Sequence, residues 1–226
     1  EGPAADEELL TLLERRDGAI EPIEVRVARR LKRVLADEQG LVLDRIRRDG
    51  DRLELDEVIT LDAQVAAYAT VVIDDLSAAA EEGAAFEGAA LPTSASVDAL
   101  AEELGRTLAG VVRPRVERCF DGIDEGTDVS DRLRSTYREW KTDRLVETTR
   151  HIVLAAFGQG QVAVHPADAR LRWVPDPTGS ACPDCEDDAL AGPVPRGSTF
   201  PTGHAHPPAH PGCRCLVVTE RVAASA

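Results

Sequence analysis

The feature that most constrains this chain is a group of cysteine and histidine residues near its C-terminal end. Cys182 and Cys185 stand two residues apart, and a second group follows with His210, Cys213 and Cys215. A Cys-x-x-Cys pair can bend around one metal ion, with its thiolate sulfurs about 2.3 Å from a structural zinc. Such a pair needs further ligands from a second arm of the chain. The spacing therefore predicts a small module in which side chains cross-link two arms.

The second arm offers three candidate ligands for the two positions left in a tetrahedron. His210-x-x-Cys213 has the spacing of a zinc knuckle, whereas Cys213-x-Cys215 places two sulfurs on one face of an extended segment. An all-thiolate site and a site with three thiolates and one imidazole both remain open. We predict one structural zinc ion, and the candidate ligands are Cys182, Cys185, His210, Cys213 and Cys215.

Two other states of these cysteines compete with a metal site, namely disulfide pairing and free thiols. The sequence contains no recognisable secretory signal, which favours metal or free thiols over disulfides. A catalytic zinc is disfavoured because a catalytic site keeps one coordination position open, and this group has surplus ligands.

Composition and charge exclude several classes of function. Hydrophobic residues make up 43% of the 226 residues and charged residues 30%, which is typical of a soluble globular protein. The formal net charge of −15 disfavours a general nucleic-acid coating role, because such a chain repels phosphate backbones. No apolar run approaches the roughly 20 residues needed to cross a bilayer, so we expect no membrane partner.

Apolar residues recur at helical spacing through most of the chain before residue 160. Asp17-Gly18 is predicted to end the first helix, Pro114 to end or kink the fourth, and Gly158-Gln-Gly160 to end the last. Ser96 and Ser130 are predicted to cap two of them. The predicted helices cover residues 7–16, 22–50, 55–80, 97–112, 131–141 and 143–157.

The second predicted helix carries the one locally basic tract of this acidic chain. One interpretation is a solvated helix face whose cations pair with neighbouring acids. The other is a contact strip for DNA phosphates or for an acidic protein surface. The candidate DNA contacts are Arg26, Arg29, Arg30, Arg33, Arg45 and Arg48.

Two further features are predicted to be structural. Cys119 lies alone in a helical stretch, where a cysteine is typically a small buried hydrophobe. Residues 121–128 are rich in glycine and aspartate but lack the acidic residue that calcium loops use at their twelfth position, so they indicate a connection.

The composition changes after residue 160. Nine of the fourteen prolines lie from Pro175 onward, and residues 161–164, 169–174 and 215–218 alternate or are β-branched as short strands are. A segment rich in glycine and proline buries little apolar surface, so a metal clip would stabilise it. We predict a mainly α fold with a helical region at 1–139. A small α+β C-terminal module follows at 140–226, with short strands clipped by a zinc site.

This C-terminal segment resembles the C-terminal module of the phage Mu F-like head morphogenesis proteins. The similar stretch covers roughly residues 140–218, and the helix at 143–156 is similar to the helix that precedes the module in that family. The residues that carry the resemblance are Trp173, Asp176, Cys182-Pro-Asp-Cys185, Gly192, Phe200-Pro-Thr-Gly203 and Pro207-Pro208-Ala-His210-Pro211-Gly-Cys213-Arg214-Cys215.

The resemblance implies a minor capsid protein of a tailed phage or prophage. Such a protein is made in the host cytoplasm and enters the virion in few copies, at the portal vertex or capsid interior. Its partners are the portal and other capsid proteins, and its roles are head assembly, DNA packaging or DNA ejection. The resemblance implies no catalysis. The chain begins at Glu1 rather than Met, which leaves open a fragment, a processed form or a part of a larger fusion.

Two alternative functions remain. A metal-dependent hydrolase would use His204, His206 or His210 with an acid, either Glu186 or Asp187. His204 and His206 fall in a proline- and glycine-rich loop, and no His-Glu-x-x-His helix, Gly-x-Ser-x-Gly elbow or phosphate loop is present. We therefore predict no enzymatic activity. The second alternative is an adaptor module of a toxin-delivery protein.

Overall fold

Helices make up most of the computed structural model, which describes residues 3–50, 54–121, 128–179 and 182–220. Two single 3-10 turns, Leu55–Glu57 and Arg118–Phe120, and a π-helical turn, Trp140–Arg144, lie between the α-helices. The prediction of a mainly α fold is confirmed. The first six α-helices are α1 Pro3–Asp49, α2 Leu61–Thr70, α3 Ile73–Phe86, α4 Asp98–Glu117, α5 Val129–Glu139 and α6 Leu145–Ala163.

Helix α1 is one continuous helix of 47 residues, so the predicted break at Asp17-Gly18 is wrong. The reason is the apolar face, because Leu13, Ile20 and Ile23 are buried on both sides of the glycine. A glycine inside a helix costs only about 1 kcal/mol relative to alanine, and burial of this face offsets that cost. The helix also runs through Pro22, which was predicted to begin a second helix.

The predicted helix over residues 55–80 is three elements in the structure: the turn Leu55–Glu57, α2 and the first part of α3. Thr60 has extended backbone angles and its side chain accepts a hydrogen bond from the amide of Ala63. This N-cap satisfies an orphan donor of the first turn of α2, so a new helix starts there.

The predicted caps at Ser96 and Ser130 are wrong. Val97 is the N-cap of α4 and makes no capping side-chain hydrogen bond, and α4 continues through Pro114 to Glu117. At α5 the cap is Asp128, whose carboxylate accepts from the backbone amide of Ser130. Of the predicted connection at residues 121–128, positions 122–127 lie outside the described residues.

The predicted strand at 161–164 is also wrong, because α6 continues to Ala163. The glycines that were expected to stop this helix sit where backbones pass very close to each other. A Cβ atom on Gly160 would lie 1.9 Å from the carbonyl oxygen of Ala80 in α3, and one on Gly83 would lie 2.0 Å from that of Phe157. Gly160 and Gly83 therefore let α3 and α6 pack together.

The C-terminal strands form a three-stranded antiparallel sheet in the order β2-β1-β3. Its strands are β1 Arg170–Val174, β2 Val194–Pro195 and β3 Leu216–Thr219, and helix α7, Pro183–Leu190, lies between β1 and β2 in the sequence. Trp173 of β1 pairs with Val217 of β3, and its ring meets that of Phe200 edge to face at 5.1 Å between centroids. Two of the predicted strands are thus confirmed, with ends shifted by one residue.

The chain divides into two compact units. Unit 1 comprises Glu1–Glu24, Leu76–Ser96 and Arg150–Ala226, and unit 2 comprises Val25–Asp75 and Val97–Thr149. The predicted boundary between residues 139 and 140 concerns sequence modules and stays a prediction. Within the described residues, no helix combines the length and the apolar character needed to cross a membrane.

Candidate metal centre

Helix α7 positions the first arm of the cysteine and histidine group. Cys182 is its N-cap residue with extended backbone angles, and Pro183 follows as the first helical residue. Proline suits this place because its fixed φ matches a helix and its missing amide hydrogen would be unsatisfied there anyway. One turn later Cys185 points inward and is 4% exposed. The Cys-x-x-Cys pair thus has one cysteine at the N-cap of α7 and the other on its first turn.

The second arm comes from the loop that leads into β3. Cys213 and Cys215 are each 4% exposed, and they belong to the same small core as Trp173, Phe200 and Val217. The module therefore has an apolar core into which sulfur atoms project. Few apolar side chains build this core, so the stability of the module depends strongly on the bonds that the sulfur atoms make.

The sulfur and imidazole atoms of both arms converge. Cys185 Sγ lies 3.2 Å from His210 Nε2 and 3.8 Å from Cys213 Sγ. Two groups can each hold a metal ion, with ligand atoms within 4.8 Å of one another: Cys182 with Cys185 and His210, and Cys185 with Cys213 and Cys215. The structure thus brings all five predicted ligands together around Cys185, and this cluster could bind a metal ion.

All five cysteines of the chain are free thiols, so the alternative of disulfide pairing is not what the structure adopts. Cys119 lies apart from the cluster, in unit 2, and is 5% exposed. Its sulfur lies within hydrogen-bonding distance of the carbonyl oxygen of Arg115 and the hydroxyl of Thr136. The prediction of a small buried residue at Cys119 is confirmed.

The ring of His210 is held in the orientation that a metal ligand needs. Its Nδ1 lies 2.8 Å from the carbonyl oxygen of Pro211, which can only accept a hydrogen bond. In the neutral imidazole this places the hydrogen on Nδ1 and leaves the lone pair of Nε2 facing Cys185. A carbonyl that fixes the tautomer in this way is a regular partner of metal-binding histidines.

The cysteine thiols differ in acidity. The hydrogen bond from Cys215 lowers the pKa of the Cys213 thiol to about 5, whereas burial raises the pKa of Cys185 to about 12. The same hydrogen bond, together with burial, raises the pKa of Cys215. Among these three thiols, Cys213 is therefore the one that ionises most easily. A bound cation would let more of them ionise, because it replaces the missing positive charge.

Sequence reasoning missed Arg16, which ties α1 to the second arm. Its guanidinium is 1% exposed and donates to the carbonyl oxygens of Arg214 and Cys215, at 2.8 and 2.9 Å. Arg214 in turn bridges Asp17 and Asp176, at 2.5 and 2.8 Å. Burial raises the pKa of Asp176, but hydrogen bonds from Thr178 and Arg214 outweigh it and the net shift is downward. Arg16 and Arg214 thus fix the backbone beside two candidate ligands.

Of the residues proposed for a hydrolase, only His210 lies at the cluster. Glu186 and Asp187 are exposed, and neither they nor His204 and His206 belong to a potential metal-binding group among the described residues. His204 is exposed, and its Nδ1 lies 3.0 Å from the hydroxyl of Thr202.

The nearby buried acid is one that the sequence did not single out. Asp188 is completely buried and accepts hydrogen bonds from the amide and the hydroxyl of Thr202, at 3.0 and 2.7 Å. Its position on the inner face of α7, three residues after Cys185, was the available clue. These bonds secure the turn that contains Thr202.

The basic tract on α1 is largely compensated by acids. Arg26 and Arg30 both pair with the buried carboxylate of Asp75 at 2.8 Å. Arg45 pairs with Asp49 and Glu57, and Arg48 donates to a backbone carbonyl. Arg29 and Arg33 are exposed, and neither has an ion pair within the described ranges. DNA contact through this tract stays a prediction.

Comparisons with known proteins give no assignment. No protein-family model, no curated protein and no solved structure matches the chain.

Proposed function

We propose that the chain is a minor head protein of a tailed phage or prophage whose C-terminal module is held by one structural zinc ion. The observation that carries this is that Cys182, Cys185 and His210 form one potential metal-binding group and Cys185, Cys213 and Cys215 form another. The two groups share Cys185 and lie within the segment that resembles the Mu F-like module. The site clips the module together, and the chain acts by binding portal and capsid partners rather than by catalysis.

The ligand chemistry supports zinc over other common metals. The candidate donors are thiolate sulfurs and one imidazole nitrogen, which zinc prefers, whereas magnesium and calcium prefer oxygen. Cys185 belongs to both potential groups, so it is the ligand we regard as fixed. Cys182 and His210 join it on one side, and Cys213 or Cys215 completes the tetrahedron.

The same ligand count supports a structural rather than a catalytic ion. Four protein ligands fill a tetrahedral site and leave no position for water or substrate. His204 lies outside both potential groups and is oriented by Thr202. The hydrolase alternative therefore lacks an open metal position with an acid beside it.

Metal analysis of the purified protein tests the site. We expect about one zinc per chain, since one tetrahedron uses four of the five ligands. Cys182→Ser and His210→Ala should each reduce the zinc content, and Cys213→Ser compared with Cys215→Ser identifies the fourth ligand. Cys119→Ser and His204→Ala are matched controls that should keep it. A wild-type protein that binds no stoichiometric zinc would contradict the proposal.

Quantitative mass spectrometry of purified, DNA-filled particles tests the head function. A low, fixed copy number relative to the portal protein is the expected result. Alanine substitution at His204 and His206 should leave that number unchanged, because neither side chain is part of the zinc site. Absence of the chain from intact particles would overturn the head function and favour the adaptor or hydrolase alternatives, whatever the zinc content.

A further inference from the structure

A second potential binding site lies in unit 2, apart from the cysteine and histidine cluster. It is an open pocket of about 260 Å³ between the end of α4, the turn Arg118–Phe120 and helix α5. Its lining includes the buried Cys119, whose thiol lies 3.4 Å from the hydroxyl of Thr136. The lining residues are Arg115, Arg118, Cys119, Arg132, Thr136 and Glu139.

The pocket is positively charged, although the whole chain carries a formal charge of −15. Glu139 does not cancel the three arginines. Its carboxylate accepts hydrogen bonds from Arg115 and from Arg144, which lies outside the pocket, at 3.1 and 3.3 Å. These bonds also lower the pKa of Glu139, so it is already ionised and shared between two guanidinium groups.

The other two arginines keep their charge available. Arg132 donates to the carbonyl oxygen of Asp121 at 2.6 Å, a bond that orients the guanidinium but does not neutralise it. Arg118 is exposed and forms neither an ion pair nor a side-chain hydrogen bond within the described part of the chain. Several arginines on α1, by contrast, pair with acids: Arg26 and Arg30 with Asp75, and Arg45 with Asp49.

The donor geometry selects the ligand class. Planar guanidinium groups match the oxygens of a phosphoryl group with paired hydrogen bonds. A phosphoryl group offers three acceptor oxygens, which suits two guanidinium groups and one hydroxyl, whereas a carboxylate offers only two. The thiol of Cys119 lies 3.3 Å from the carbonyl oxygen of Arg115 and can donate its one hydrogen there. The hydroxyl of Thr136 can then rotate its hydrogen towards an anion.

We infer that Arg118, Arg132 and Thr136 form a binding site for a phosphoryl group, carried by a small phosphorylated molecule or by a nucleic acid. The volume of about 260 Å³ exceeds that of a phosphate group alone, so the pocket also has room for a small organic part or a second phosphate. This inference does not depend on the zinc site or on the head function.

Isothermal titration calorimetry of the full chain with pyrophosphate tests the inference. We expect saturable binding, and we expect Arg118→Gln and Arg132→Gln each to weaken it about tenfold or more, since each removes charge-assisted hydrogen bonds. Arg138→Gln is the matched control, because Arg138 is also exposed, lies on α5 and is outside the pocket lining. Circular dichroism confirms that each variant is folded.

Competition then identifies the source of the phosphoryl group. Displacement of pyrophosphate by a short single-stranded oligonucleotide indicates a nucleic acid, and its failure to compete indicates a small molecule. Either result supports the site. Absence of saturable binding at millimolar pyrophosphate would overturn the inference. Equal weakening by Arg118→Gln and Arg138→Gln would also overturn it, because that pattern reports diffuse charge attraction.

Discussion

The two units each contain a buried polar cluster, and the two clusters are completed in different ways. In unit 2 the carboxylate of Glu38 is 3% exposed and accepts hydrogen bonds from Gln64, Tyr68 and Tyr137, at 3.0, 2.5 and 2.7 Å. We call these four residues the Glu38 network. In unit 1 the sulfurs and the imidazole around Cys185 form two potential metal-binding groups, with ligand atoms within 4.8 Å of one another in each.

The difference shows how a buried charge can be accommodated. The Glu38 network supplies every donor from the chain itself, and burial followed by the charge of Glu38 raises the pKa values of Tyr68 and Tyr137, so both stay protonated donors. The Cys185 cluster consists of thiols and one imidazole, and the proposed zinc ion would come from outside the chain. A buried polar group is costly unless it is paired, so the Glu38 network is complete as folded, whereas the proposed zinc ion would complete the Cys185 cluster.

The largest expected effect comes from removing the ligand common to both potential metal groups. Cys185→Ser should abolish metal binding and unfold residues 165–220 while most of the helical circular dichroism remains. Structural zinc contributes about 10–16 kcal/mol to the folding of small zinc domains, far more than the apolar core of this module can replace. Limited proteolysis with mass spectrometry measures the effect, and Cys119→Ser is the control. Unchanged protease resistance of residues 165–220 would contradict the prediction.

The Glu38 network should be sensitive to truncation but not to metal removal. Glu38→Ala leaves three buried donors without an acceptor, and we expect a loss of about 3–5 kcal/mol in the free energy of unfolding. Tyr68→Phe should cost less, about 1–3 kcal/mol, because it removes one bond and leaves the others. Urea denaturation measures both.

Asp37→Ala is the control for Glu38→Ala, since Asp37 is the exposed neighbour on α1. A chelator should lower the stability of unit 1 and leave the cost of Glu38→Ala unchanged. If Glu38→Ala were as stable as Asp37→Ala, the buried carboxylate would not organise unit 2.

Arg16→Met tests whether the chain itself also supports the metal cluster. Methionine keeps an apolar stem but removes the donors to the carbonyl oxygens of Arg214 and Cys215. We expect a loss of about 1.5–3 kcal/mol and a faster release of zinc to a chelator. Arg29→Met is the control, because Arg29 is exposed on the same helix and has no ion pair within the described ranges. Zinc release at the wild-type rate would show that Arg16 does not hold the second arm in place.

The smallest effect is a pH dependence that arises in unit 1. Burial lowers the pKa of His206 below its usual value of 6.5, so the folded chain holds this proton less tightly than the unfolded chain. The neutral imidazole of His206 therefore contributes its full stabilisation when the pH is above the pKa that His206 has in the unfolded chain. That stabilisation is lost as the pH falls through the pKa of His206 in the folded chain.

His206→Gln should flatten the decrease in stability as the pH falls below about 6.5. Urea denaturation at a series of pH values measures this, and His204→Gln, at an exposed histidine, is the control. An identical pH profile for His206→Gln and the wild type would contradict the assigned cause.

Local spacing explains what could be predicted. The five candidate ligands lie within 34 residues, Cys182 to Cys215, and their convergence follows from one helical turn and one short loop. Helical character and two of the three strands were likewise predicted from short-range patterns. Glu38 and Tyr137 lie 99 positions apart, so no local pattern indicates their contact.

The predictions that failed concern positions where packing overrides local preference. Asp17-Gly18 and Gly160 are usually helix-ending sequences, yet the helices continue because buried neighbours stabilise them. Position 160 requires glycine because the carbonyl oxygen of Ala80 lies where a side chain would begin. The sequence alone does not show whether a glycine ends a helix or allows two helices to pack closely, because that depends on the neighbouring helix.

By itself the sequence determined the mainly helical character, two of the three short strands and the donors of the candidate metal centre, because each depends on residues near one another in the chain. The tertiary structure decided that α1 is unbroken, that Arg16 braces the second arm and that Glu38 is satisfied by Gln64, Tyr68 and Tyr137. These features depend on contacts between side chains that are distant in the sequence. Such contacts form only when the whole chain folds, because the free energy of burial then brings the side chains together.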